Sequence, residues 1–421
     1  MRERSCLSKS GPGLTTLTQM ALAQVEFDPF STEFFEDPTD VYRRLRDEAP
    51  VYFNEKYGFY ALSRYADVLA ASRDWHAFSS EHGVDLSSLS QDHELIKSLG
   101  MMIMMDPPEH NRFRNLVGRV FSPRAVTDLE PMIREVIGEL LDELSERDTF
   151  DVVADFSGPF PVEVISRMLG VPDGERQQIR HWLDLMLHRE PGEMNPTPDG
   201  QTATLELVGY FQALTLEKRR RPGDDMLSRL TQVTVDRGDG VETALSDSEI
   251  AGFAGLLGGA GAETVTKLIG NAVVLFDAHP DQWRTVAADP DRIPEAVEEI
   301  LRYLPPSQYQ GRYSVEERQF ENETIPAGFP VLLLTGAATR DPRHFKNPDA
   351  FNIDRPRSLG IAFGQGVHIC LGAALARMES RIAIQELTTR WSRLDVDKRG
   401  LRRVSMANVA GYSKVPVQVG R

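Results

Sequence analysis

The stretch FGQGVHICLG, residues 363 to 372, carries Cys370, one of only two cysteines in a chain of 421 residues. A lone cysteine is most often a small buried hydrophobe. Its neighbours here argue for chemistry. Phe363, Gly366, His368, Cys370 and Gly372 fall at the spacing F-x-x-G-x-H-x-C-x-G, and a run with helical apolar spacing, AALARMESRIAIQEL, follows at once. Gly364, Gly366 and Gly372 permit sharp turns and a close approach of backbone to a flat object. A thiolate at the start of a helix is favoured by the positive end of the dipole and by free N–H groups. One thiolate held in this way suits an axial ligand of haem iron, whereas zinc needs further cysteines or histidines nearby.

The elements that must position this loop read as mainly helical with a smaller share of strand. DPTDVYRRLRDEAPVYF reads as a helix leading into a strand, and YGFYALSRYADVLAASRD as a strand followed by a helix. Helical spacing is predicted over 122–144, 203–221, 246–278 and 293–303, with short strands at 330–334 and 415–419. The segment 186–200, MLHREPGEMNPTPDG, is rich in Pro and Gly and reads as a mobile loop or lid.

Composition narrows the field. With 47 Lys and Arg against 63 Asp and Glu the net charge is −16, which argues against a general affinity for nucleic acid or an anionic membrane. Two cysteines, Cys6 and Cys370, build no disulfide framework, so a reducing, cytoplasmic setting is expected. No stretch approaches the ~18 consecutive apolar residues of a spanning helix, and no membrane anchor is expected. Without repeats or a linker, residues 25–421 read as a single domain behind a disordered segment, 1–24.

The cysteine segment resembles the haem-binding signature of the cytochrome P-450 superfamily in its soluble bacterial form. Further motifs follow the same order along the chain. EILR supplies Glu299 and Arg302 of the family's E-x-x-R, FNIDR supplies Arg355, and GAGAETV places Gly261, Glu263 and Thr264 in the long central helix. DPPEHNRFR supplies His110 and Arg114, and RDP at 340–342 matches the family's meander. E-x-x-R alone is a weak signal; the ordered set is specific.

The resemblance implies a cytochrome P-450 fold with haem b buried between the central helix and the helix after the cysteine loop. Cys370 would be the iron ligand. His110, Arg114, Arg312 and His368 would meet the two propionates, as a buried dianion requires. Met104, Ala260, Gly261 and Thr264 would touch the haem from one side, and Ala362, Phe363, Gly364 and Gly372 from the other. Glu263 and Thr264 would relay protons to bound oxygen, with Gly258, Gly259 and Gly261 loosening the helix. The competing structural reading is that Thr264 bonds back to a carbonyl one turn earlier. Val265 stands where the family often has a second threonine. Glu299, Arg302 and Arg355 would form a structural ion-pair network.

By the same resemblance the reaction is O2-dependent hydroxylation of a medium or large apolar molecule, of terpenoid, steroid, fatty-acid or polyketide class. Met102, Met104, Gly259, Gln308, Tyr309 and Tyr412 would line the substrate site. Electrons from NAD(P)H would come through a separate ferredoxin and ferredoxin reductase, docking on a basic patch of Arg112, Arg119, Arg124, Arg377 and Arg381, with the protein a monomer. The alternatives are peroxide-driven oxidation or oxidative coupling on the same fold, or a non-catalytic haem sensor.

Overall fold

The computed structural model describes residues 25–98, 100–236, 240–321, 323–356 and 358–420. The segment 1–24, expected to be disordered, lies outside them.

The longest helix, Asp247–Ala278, is the axis of the molecule. Its start is set by a reciprocal cap, in which Ser246 Oγ accepts from the Glu249 amide and the Glu249 carboxylate accepts from the Ser246 amide. A helix apolar on nearly every face must be covered on nearly every face. The helices Pro159–Leu169, Arg176–Leu187, Pro198–Arg220, Ile293–Tyr303 and Ala373–Arg390 pack around it.

The glycines of this helix serve that packing. A Cβ on Gly258 would lie 3.6 Å from the Phe211 ring, one on Gly259 3.2 Å from Leu183 Cδ2, and one on Gly261 3.5 Å from Ile165. Neighbouring helices fill the space the missing side chains leave. The α-helix is continuous through all of them.

The helix expected over 122–144 divides into Pro123–Thr127 and Glu130–Leu144. Pro131 is the cause, since it has no N–H to give and its ring collides with a carbonyl one turn earlier. Between Asp151 and Gly158 the chain makes a π-helical turn, Val152–Ser157, that no sequence pattern announced.

Strands are short. A five-stranded sheet runs in the order Val51–Asn54, Phe59–Leu62, Pro330–Leu333, Gln310–Ser314, Phe78–Ser79, antiparallel except for the pair of the second and third. It carries Arg312 opposite Val331. A three-stranded sheet joins Arg393–Val396, Pro416–Gly420 and Thr149–Asp151.

The Pro/Gly-rich segment is latched. Arg189, buried, donates to the carbonyls of Met186 (2.9 Å), His188 (2.8 Å) and Met194 (3.0 Å) of its own loop. The Arg189 amide donates to Ser405 O at 2.9 Å, and the Gly192 amide to Phe30 O at 2.7 Å. Composition predicted mobility there; in the fold a buried guanidinium organises the part of the segment from Met186 to Met194.

Candidate functional site

Gly366 has φ +75°, and a Cβ there would lie 2.4 Å from Ser72 O. Both the left-handed backbone and the approach of the helix Tyr65–Arg73 demand glycine. Gly364 has φ +70° with room around it, and Gly372 caps the helix Ala373–Arg390. The Cys370 amide donates to Phe363 O at 2.8 Å, closing the loop. Cys370 is open to small molecules, yet protein surrounds it on nearly all sides, so its thiol faces an internal cleft. Burial pushes the thiol up, opposed by the Gly372 N–H and the charges of Arg114 and Arg377. In the folded chain desolvation outweighs these opposing groups, and a metal bound to the sulfur would reverse the balance.

A cationic corner adjoins the loop. Arg312 is buried and forms no ion pair among the described residues; desolvation lowers it to about 10. Arg114, half-buried, donates to Ile369 O at 2.6 Å, beside the cysteine. The rings of His110 and His368 lie 4.3 Å apart, each with a buried Nε2 that has no partner. Burial lowers both imidazoles, His368 to about 2, with the Arg312 charge adding to the effect. Buried cations and unpartnered ring nitrogens gathered in this way require an anionic group.

The central helix leaves one part of its surface less covered than the rest. Ala260 is exposed and Thr264, one turn on, half-buried, whereas most of the helix is covered. The Thr264 hydroxyl donates to Ala260 O at 2.9 Å, so the back-bond is the conformation adopted. Glu263 is buried against Lys267, whose Nζ lies 2.9 Å from Oε2. Sequence reading passed over Lys267, although a lysine four residues after a glutamate in so apolar a run was a legible signal. It also passed over Asp184, which packs against Glu263 from another helix and carried no local signature.

Several expected contacts are placed elsewhere. Tyr309 is fully buried and donates to Ala407 O at 2.5 Å, and Gln308 donates to Pro305 O at 2.6 Å. Both are spent on internal bonds and are not free to orient a substrate. Met102 packs into the main core, as does Tyr412, whose ring lies 4.6 Å beneath the Arg403 guanidinium. Gly259 and Gly261 turn towards Leu183 and Ile165. Met104 lines a cleft of about 420 Å³ with Lys97, Glu109 and Glu249 near the start of the central helix. Ala362, Phe363 and Gly364 line a cavity of about 630 Å³ that also includes Glu298, Arg377 and Arg381. The thiol, Thr264 and Arg312 do not border that cavity, so its size says nothing about the chemistry.

The basic patch is partly neutralised. Arg377 pairs with Glu298 at 3.2 Å and lies 4.5 Å from the Phe363 ring, and Arg381 pairs with Glu130 at 3.1 Å. Arg112 is engaged as well, Arg124 is exposed, and the Arg119 side chain lies outside what is described.

Glu299, Arg302 and Arg355 come together. Glu299 accepts from Arg302 at 2.7 and 2.8 Å, from Arg355 at 3.0 Å and from the Asn352 amide at 2.9 Å. Arg302 also donates to Pro348 O and Ala350 O, and Arg355 to Lys346 O and Ala350 O. Every polar atom of the carboxylate is used, the condition under which a buried charge cluster is tolerable.

One sulfur donor in an enclosed cleft, beside buried cations that lack an anion, fits a flat metal macrocycle with acidic side arms, which is haem. Comparisons with known proteins agree. The family model described as Cytochrome P450 matches residues 39–400. A putative cytochrome P450 123 of Mycobacterium bovis is 43% identical over 397 residues, covering 94% of this chain and 97% of that relative. A vitamin D(3) 25-hydroxylase of Pseudonocardia autotrophica is 37% identical over 412 residues, 94% of this chain and 97% of its own. The structure of a cytochrome P450 from Chondromyces apiculatus superposes with TM-score 0.83 at 32% identity, over 94% of this chain and 98% of that one. On these comparisons the chain belongs to the cytochrome P450 family, as one of its monooxygenases.

Proposed function

We propose that this monooxygenase uses haem b to hydroxylate an apolar small molecule of steroid-like size, with electrons from NAD(P)H delivered by a ferredoxin and its reductase. The observation that carries the reading is the accessible Cys370 thiol in a loop beside Arg114, next to a corner of Arg312, His110 and His368 that holds no anionic partner among the described residues. Bound there, haem supplies the activation of O2 and the oxidation of an unactivated C–H bond. The chain supplies the rest. Cys370 offers its sulfur to the iron, Arg312, Arg114, His110 and His368 hold the acidic arms, and the apolar walls exclude water. Thr264 Oγ1 holds a proton at the cleft edge and exchanges it with water, and Glu263 replenishes it.

Substrate choice rests on shape, because Gln308 and Tyr309 are tied up internally. The hydroxylase of a secosteroid among the relatives supports the steroid-like size class. Peroxide-driven oxidation and gas sensing are disfavoured by the Glu263 and Thr264 pair, which neither of them needs. We place the protein in the cytoplasm as a monomer built from one domain, residues 25–421; no described helix is long and apolar enough to cross a membrane.

The test starts with the purified holoprotein, reduced with dithionite and exposed to carbon monoxide. A strongly red-shifted Soret band is expected, followed by a shift of the ferric spectrum on titration with vitamin D3. Hydroxylated product should form only when ferredoxin, reductase and NAD(P)H are present. A Soret band typical of histidine-ligated haem would refute Cys370 as ligand, and product formed with peroxide but not with the electron-transfer system would refute the proposed cycle.

A further inference from the structure

Glu263 does not sit alone behind Thr264. Lys267 lies one turn along the same helix, its Nζ 2.9 Å from Glu263 Oε2, and both side chains are at most 4% exposed. The approach of Gly411 holds the lysine stem in place, since a Cβ there would lie 2.7 Å from Lys267 Cβ. The ion pair is not aligned as a hydrogen bond: Oε2 is buried and accepts none. From the helix Arg176–Leu187, Asp184 comes within hydrogen-bonding reach of the Glu263 carboxylate. Its side chain is 41% exposed, and Arg180 Nε lies 3.9 Å away on its own helix. A Cβ on Gly158, at the start of the helix Pro159–Leu169, would lie 2.8 Å from the Arg180 guanidinium carbon. The helices Pro159–Leu169 and Pro198–Arg220 present apolar Ile165 and Phe211 to this part of the central helix. The charged groups acting on Asp184 are therefore Glu263 and Lys267 from the central helix and Arg180 from its own.

Two carboxyl groups share a hydrogen bond only when one of them carries a proton. A pair of acids beside one lysine is also a costly way to fill an interior if packing were its only purpose. We propose that Asp184 is the water-contacting end of a proton relay into Glu263, and that Lys267 is the cation that holds the relay in place. The proton leaves the Asp184 carboxyl as its O–H bond breaks, and forms an O–H bond on the Glu263 carboxylate. Water returns a proton to Asp184, and Glu263 passes its own towards Thr264. Asp184 and Lys267 act through Glu263 and are positioning residues. Burial and the neighbouring Glu263 raise Asp184 to about 7, so both of its forms are populated near neutral pH and transfer in either direction is easy. The relay rests on the reading of Glu263 and Thr264 as proton donors.

Infrared titration of the holoprotein tests it without turnover. In the wild type a protonated-carboxyl stretch should titrate near neutrality. It should vanish in Asp184→Asn, return in Asp184→Glu, and move to higher pH in Lys267→Met, where the lowering effect of the lysine is lost. With a plant-type ferredoxin as surrogate, peroxide released per NADH should rise roughly tenfold in Asp184→Asn, less than the 10²–10⁴ of a direct donor. Asp184→Glu should reverse the rise. The absence of a carboxyl titrating near neutrality in the wild type would overturn the relay, as would a band and peroxide yield unchanged in Asp184→Asn. The reduced carbon monoxide spectrum should be normal in every variant; an abnormal wild-type spectrum would instead count against the haem-thiolate reading.

Discussion

At Thr264 the hydroxyl donates to Ala260 O, so its oxygen can accept from water, and its own proton moves only when that back-bond opens. Thr264→Ala should keep its haem and still consume NAD(P)H, with product per reductant down at least ~10-fold and the balance released as peroxide. Unchanged product yield would remove the hydroxyl from the relay. Asp184 offers a stability test as well as a kinetic one. Its carboxyl rises from an ordinary 3.8 to about 7 in the fold, so between those values the native state binds more protons than the unfolded chain. Stability is then lost as pH rises through that window. Asp184→Asn lacks this loss, and its Tm should exceed that of the wild type by a margin that widens from pH 4 to 7. Gly366→Ala should destabilise the protein by about 1–3 kcal/mol from its left-handed backbone alone, with more from the collision with Ser72. Tm and haem content report it.

Among elements, the helix Ile293–Tyr303 and the segment 339–355 are joined by one carboxylate. Glu299→Ala leaves the buried guanidinium of Arg302 without a counter-ion, a loss of ~3–5 kcal/mol. The purified variant should contain little haem, because the chain from Arg355 leads directly into the cysteine loop. Normal haem content would contradict that coupling. The lid is held in another way. Arg189 makes its bonds to carbonyls of its own loop, so Arg189→Met should free the segment between the helices Arg176–Leu187 and Pro198–Arg220. Faster proteolysis within 188–197 is the expected outcome.

Over the whole molecule, the net charge of −16 leaves little cationic surface, and two of the arginines expected to form it are already paired with glutamates. The docking proposed for an acidic ferredoxin would then fall more heavily on exposed Arg124. Arg124→Glu should raise the KM for ferredoxin several-fold with kcat and the haem spectrum unchanged, and the dependence on ionic strength should weaken with it. An unchanged KM would place the docking surface elsewhere.

What the sequence determined by itself was whatever local spacing encodes. The cysteine loop, the E-x-x-R turn and the capped central helix are set by residues a few positions apart, through turn geometry, the helical repeat and reciprocal capping. Cys370 was legible for that reason, whereas Glu299, Arg302 and Arg355 were legible only through the ordered set of motifs that carries the family resemblance. Only the tertiary structure decided which way side chains face and what lies across from them. Gly259 and Gly261 meet Leu183 and Ile165, Tyr309 spends its hydroxyl on Ala407 98 residues away, and Asp184 reaches Glu263 from a separate helix. Burial and charge at such positions come from partners distant in the chain, and no local pattern records them.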